Sequence, residues 1–171
     1  IINLNNTIMV EQLKELYTNA TNQYQIYNYS DDKEGSQQAL EKVAKSGFSN
    51  KNSVAIGVKP SGEIIFSACN NQFTNWTVFL DEEVLNKLNE DYNNDIKEGS
   101  VSFTHHNGDY FGVYKYQADW GYYLIRAEKR SDLDANTKSV YLYTLLIIFI
   151  LTIAFVIIGW LILRHEFRPV T

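Results

Sequence analysis

The side chains best suited to chemistry gather between Ser100 and Lys129. His105 and His106 are adjacent, Asp109 follows, and Tyr110, Tyr114, Tyr116, Tyr122 and Tyr123 lead up to Arg126. Imidazoles and a carboxylate are metal ligands, but successive residues on a strand point to opposite faces, so His105 and His106 cannot both reach one ion. No cysteine or further histidine stands at useful spacing. The pair therefore reads as the exposed tip of a hairpin, and neither a metal nor a cofactor is implied. Tyrosine rings can line a small-molecule pocket while their hydroxyls fix the ligand's orientation. An arginine among apolar neighbours can pair with a carboxylate. The candidate ligand-binding set is His105, Tyr110, Tyr114, Tyr123 and Arg126. Two other readings stand beside it: the tyrosines form core under helices, and Arg126 pairs with Glu63, Glu128 or an acid of the first helix.

Catalysis finds no support. The chain has no phosphate-binding glycine loop, no His-Glu-x-x-His and no cysteine cluster. Asp31-Asp32 and Glu82-Glu83 fall in a loop and at a helix start, where acids are common.

The elements that must position these residues follow from periodicity. Asn6 or Thr7 can cap a first helix whose Met9, Leu13, Leu16, Ala20, Tyr24 and Tyr27 form one apolar stripe, for a sheet or for a dimer seam. Tyr29 to Ser36 is turn-rich, and Ser36 is expected to cap a second helix ending at Gly47. Strands are expected at 53–58 and 63–67 around Pro60-Ser61-Gly62, then an apolar stretch from Trp76 to Leu80 and a helix capped by Asp81. Asn107-Gly108 signals a tight hairpin that pairs His105 with Tyr110 and Phe103 with Gly112. A turn at Ala118-Asp119 pairs Tyr114 with Tyr123. One face then collects Val101, Phe103, His105, Tyr110, Tyr114, Tyr116, Tyr123 and Ile125; the other collects Ser102, Thr104, Phe111, Val113, Lys115, Tyr122, Leu124 and Arg126. Trp76 and Trp120 read as packing or turn anchors. The fold class is α+β: a long N-terminal helix and a five-stranded antiparallel sheet, followed by one transmembrane helix.

That last helix is the uncharged run from Ser139 to Leu163. At about 1.5 Å per residue it spans roughly 37 Å, enough to cross a bilayer core of about 30 Å. Tyr141, Tyr143 and Trp160 lie toward its ends, where aromatic rings favour the interface. Ser131-Asp132-Leu133-Asp134 resembles a capping box at its start. The chain carries 15 Lys+Arg against 20 Asp+Glu, and without the stub charges Arg164, Glu166 and Arg168 the balance is 13 against 19. This acidic balance argues against nucleic acid as a partner. Arg164 and Arg168 place the C-terminus in the cytoplasm by the positive-inside rule, and the N-terminal domain outside. Cys69 is the sole cysteine, so no intrachain disulfide can form. Ile1-Ile2-Asn3-Leu4 has no signal-peptide character, and the chain reads as a piece of something longer.

The first helix, the pair from Val54 to Ile65, the meander ending Trp120-Gly121-Tyr122-Tyr123-Leu124-Ile125 and the immediate membrane helix together resemble the single Cache (extracytoplasmic PAS-like) sensor domains of bacterial transmembrane receptors. The stub Arg164 to Thr171, with Pro169, looks like the entry to a HAMP linker. The resemblance implies a PAS-like sensor domain over 1–130, a stalk and membrane helix over 131–163, and a cytoplasmic stub over 164–171. It further implies a homodimer in the inner membrane that binds an unknown small-molecule ligand. An effector beyond Thr171 would be a histidine kinase, chemoreceptor, diguanylate cyclase or nucleotide cyclase, so enzymatic activity, if any, lies outside these residues. The Arg, Trp-Tyr and Asp set of amino-acid-binding Cache domains is not found. A membrane-tethered dimerisation or protein-docking domain without a small-molecule ligand is the alternative.

Overall fold

The computed structural model describes residues 4–48, 50–70, 82–105 and 108–166. The fold is α+β, with a five-stranded antiparallel sheet and a C-terminal apolar helix. The chain divides into two compact units, residues 1–133 and 134–171.

Helix α1 (Leu4–Ser30) buries Met9, Leu13, Leu16 and Ala20 on one stripe, as their three- and four-residue spacing requires. It runs on to Ser30, through residues expected to be a turn. The break comes at Asp31, whose φ of 54° cannot continue a right-handed helix. Asp32 then caps α2 (Lys33–Ser46), its carboxylate accepting the Gly35 N–H at 2.9 Å. The expected cap, Ser36, lies one turn inside the helix, buried, with its hydroxyl donating to the Asp32 carbonyl at 3.1 Å. An aspartate at this end also complements the helix dipole, which a serine cannot do.

The strands are β1 (Val54–Val58), β2 (Ile64–Cys69), β3 (Glu98–His105), β4 (Gly108–Gln117) and β5 (Tyr122–Lys129), ordered β2-β1-β5-β4-β3. The observed register corrects the sequence expectation. His105 pairs with Gly108 and Phe103 with Tyr110, while Tyr116 pairs with Tyr123 and Tyr114 with Ile125. Both hairpins are shifted by two residues: Gly108 is already paired in β4 instead of standing in the turn, and the β4–β5 turn takes up 118–121 instead of Ala118-Asp119 alone. A two-residue shift leaves every side chain on its original face, so the face assignments stand. Gly112 allows the close approach of β4 to β5, since a Cβ there would sit 2.4 Å from the Arg126 carbonyl oxygen.

The sheet is covered on both faces. Met9, Leu13, Leu16, Ala20, Leu40 and Ala44 of α1 and α2 pack on Ala55, Phe66, Val113, Tyr122 and Leu124. On the opposite face Leu88 of α3 (Glu82–Asn93), with half-buried Val84 and Leu85, packs on Ile56, Val101, Phe103, Tyr110, Tyr114, Tyr123 and Ile125. The expected Trp76–Leu80 stretch, the Asp81 cap, His106, Asn107 and the stub from Phe167 lie outside the described residues.

Helix α4 (Arg130–Glu166) starts on the residue after β5 ends. Ser131 is therefore inside its first turn and not its cap. It is the one helix among the described residues that is long and apolar enough to cross a membrane, with a mean hydropathy of 3.1 over its most apolar stretch. Thr144 and Thr152 donate to the carbonyls of Val140 and Ile148, so these two hydroxyls are satisfied inside the helix.

Candidate functional site

The five candidate residues fall on two faces of the sheet. His105, Tyr110, Tyr114 and Tyr123 share the α3 face, and Arg126 is on the α1–α2 face. His105 is 8 % exposed, which corrects its expected place at a solvent-facing tip: it follows Phe103 on the inward parity of β3. The Asp109 carboxylate is engaged locally, accepting the Thr104 hydroxyl at 2.9 Å. Among the described residues no three His, Cys, Asp or Glu side chains converge as metal ligands would.

The tyrosine hydroxyls seat α3 on the sheet. The Tyr123 hydroxyl shares its one proton between Asn89 Oδ1 at 2.8 Å and the Leu88 carbonyl at 3.2 Å, and Tyr114 donates to Asp91 Oδ2 at 2.8 Å. Asn89 in turn donates to the Pro60 carbonyl at 3.1 Å, tying α3 to the β1–β2 turn. The rings interlock edge to face, Tyr114 on Tyr123 at 6.3 Å and Tyr116 on Tyr123 at 5.2 Å between centroids. Burial and the neighbouring Asp91 carboxylate push the Tyr114 hydroxyl well above its ordinary range, and burial pushes Tyr123 up to about 12. These groups are neutral donors at any physiological pH. In this state Leu88 and the hydroxyl bonds occupy the tyrosine face.

Arg126 is 2 % exposed and its Nη2 lies 2.7 Å from Glu128 Oε1. Its Nε donates to Gln12 Oε1 at 2.9 Å, its Nη1 to the Ala127 carbonyl at 2.8 Å, and its plane stacks 4.9 Å from the Phe48 ring centre. The adjoining cavity, bounded by Gln12, Glu15, Gly47 and Ala55, holds about 10 Å³. A carboxylate ligand does not fit there, and Glu128 already supplies the counter-charge. Burial lowers the Arg126 pKa, and the Glu128 charge and hydrogen bond oppose that shift.

A cleft of about 460 Å³ lies between α1 and the β3–β4 pair. Val10, Leu13 and Val113 give it an apolar floor, and Lys14, Lys115 and Glu98 stand around it. Lys115 Nζ is 3.7 Å from Glu98 and 4.2 Å from the Tyr17 ring centre. Two ammonium groups against one carboxylate suit a small anion with an apolar body. Of the sequence candidates only Tyr114 borders this cleft. The signal for it was the placing of Lys115 on one face with Val113 and Arg126; what the sequence could not supply was the offset of α1 that leaves a gap beside β3.

No protein-family model, curated protein or solved structure matches this chain.

Proposed function

We propose that residues 1–133 form an extracytoplasmic, PAS-like sensor unit of a membrane receptor, and that α4 carries its output across the inner membrane. One observation carries this reading: β5, the central strand, paired on both sides, continues into the membrane-length helix without an intervening residue. A shift in the sheet is therefore covalently a shift of the α4 start. The two arginines reported for the stub favour a cytoplasmic C-terminus. The order of a long helix, a second helix, a strand pair, a helix and a three-strand meander supports the single Cache resemblance. A homodimer and a downstream HAMP linker and effector belong to the same reading.

A ligand acts only through a difference in affinity between two conformations. The α1–β3–β4 cleft can receive a small anion in the present state. The tyrosine face can receive one only if α3 lifts. The test is a melting and calorimetry screen of the full chain in detergent micelles against carboxylates, amines, purines and sugars. A true ligand at a hundredfold excess over its Kd raises stability by about 2.7 kcal/mol. Lys115→Ala is expected to remove a response to a carboxylate, whereas a panel without any stabilising compound removes direct small-molecule sensing.

A further inference from the structure

The ion pair Arg126–Glu128 is the centre of a larger buried cluster, and its bonds converge on the β5–α4 junction. Glu128, 3 % exposed, accepts from three donors: Arg126, the Ser53 hydroxyl at 2.7 Å and Asn50 Nδ2 at 3.2 Å. Asn52 Nδ2 donates to Asp132 Oδ2 at 3.1 Å, in the first turn of α4. The α2–β1 loop thus grips the chain on both sides of the point where strand becomes helix. Gln12 of α1 is a strut between the two: its Oε1 accepts from Arg126 and its Nε2 donates to the Gly47 carbonyl. Leu133 of α4 is 7 % exposed, and the boundary between the two compact units falls directly after it.

Stability alone does not account for such a cluster. Buried ion pairs are commonly replaceable by apolar residues with no loss of stability, because desolvation offsets the attraction. What directional bonds supply and apolar packing does not is one fixed geometry.

We infer that Gln12, Asn50, Ser53, Arg126 and Glu128, together with the Asn52–Asp132 bond, form a latch that fixes the first turn of α4 against α1 and the α2–β1 loop. Release of the latch frees that turn while the sheet stays folded. Its signalling role rests on the receptor reading; its mechanical role does not. The latch also gives α1 a part in transmission, since Trp120 Nε1 donates to the Ala20 carbonyl at 2.8 Å and Gln117 to Thr21 at 3.0 Å. Helix α1 therefore holds β5 near both of its ends.

The experiment is amide hydrogen exchange on the full chain in lipid nanodiscs, without added ligand. It compares residues Leu133–Lys138, the first amides of α4 with an intrahelical acceptor, with the buried strand Val54–Val58 in wild type, Glu128→Gln, Gln12→Leu and the double variant R126M/E128L. Glu128→Gln is expected to speed exchange at the junction roughly tenfold or more relative to β1, and Gln12→Leu by about fivefold, since local opening follows the bonds removed. The double variant is expected to melt near wild type yet keep the fast junction. Wild-type exchange at the junction in a well-melting double variant, or in both single variants, overturns the latch. Gln12→Leu leaves the charge pair intact and keeps the test decisive should the others fail to fold. A working latch in a chain that answers no compound sinks the small-molecule sensing in the receptor reading alone; a ligand-responsive chain with an indifferent junction sinks the latch alone.

Discussion

The two faces of the sheet are built on different principles. The α1–α2 face is broad, aliphatic and crossed by a buried charge cluster that reaches the junction with α4. The α3 face is aromatic, and its covering helix buries only Leu88 completely, relying on tyrosine hydroxyls for its seat. A helix held by one buried leucine and a few hydroxyl bonds is easier to displace than two helices sealed over a core. The lightly held face is suited to change, and the sealed face to holding the reference from which change is measured.

Substitutions can break this contrast. The largest effect is expected from Glu128→Ala, which strands a buried guanidinium and costs about 3–5 kcal/mol, read by urea unfolding of the full chain in micelles. R126M/E128L is expected to recover to within about 1 kcal/mol of wild type. Next, Leu40→Ala and Leu88→Ala remove equally buried side chains from the two faces. Leu40→Ala is expected to cost about 4 kcal/mol and Leu88→Ala about 2, because the loosely seated α3 can settle into the space it leaves. Equal costs would erase the distinction between the faces.

Smaller again, Tyr123→Phe is expected to cost about 1 kcal/mol, with faster hydrogen exchange confined to α3. The smallest effect is in alkali. Tyr123, ordinarily near 10, is raised to about 12 in the folded state, so folding favours its neutral form. That contribution is complete below the unfolded pKa of about 10 and is lost as pH rises through the folded value, so melting temperature should fall between pH 10 and 12. Tyr123→Phe should make that fall shallower; an unchanged slope would place the alkaline sensitivity elsewhere.

Much of the sheet was legible because alternation along β3, β4 and β5 survives a register error of two residues. Val101, Phe103 and Tyr110 kept their face although each hairpin turn was misjudged. The stripe from Met9 to Ala20 was equally plain. Less legible was where helices end: Asp31 adopts a positive φ that nothing in the local sequence demands, so the helix break moved past the expected turn. The candidate site was legible only in part. Parity placed Arg126 opposite the tyrosines, but whether a buried arginine meets a ligand or a glutamate depends on long-range contacts. Ser53 and Asn50 reach Glu128 from 75 and 78 residues away, and Gln12 reaches Arg126 from 114. No local pattern encodes such meetings.

The most direct test of the proposed transmission from sheet to α4 is hydrogen exchange across Leu133–Lys138 of the full chain in nanodiscs. It is measured with and without the compound from the panel that most raises the melting temperature. Coupling through β5 requires a change of about fivefold or more at the junction, equivalent to about 1 kcal/mol, with Val54–Val58 unchanged. A bound compound that stabilises the domain and leaves Leu133–Lys138 exchanging as before would contradict it.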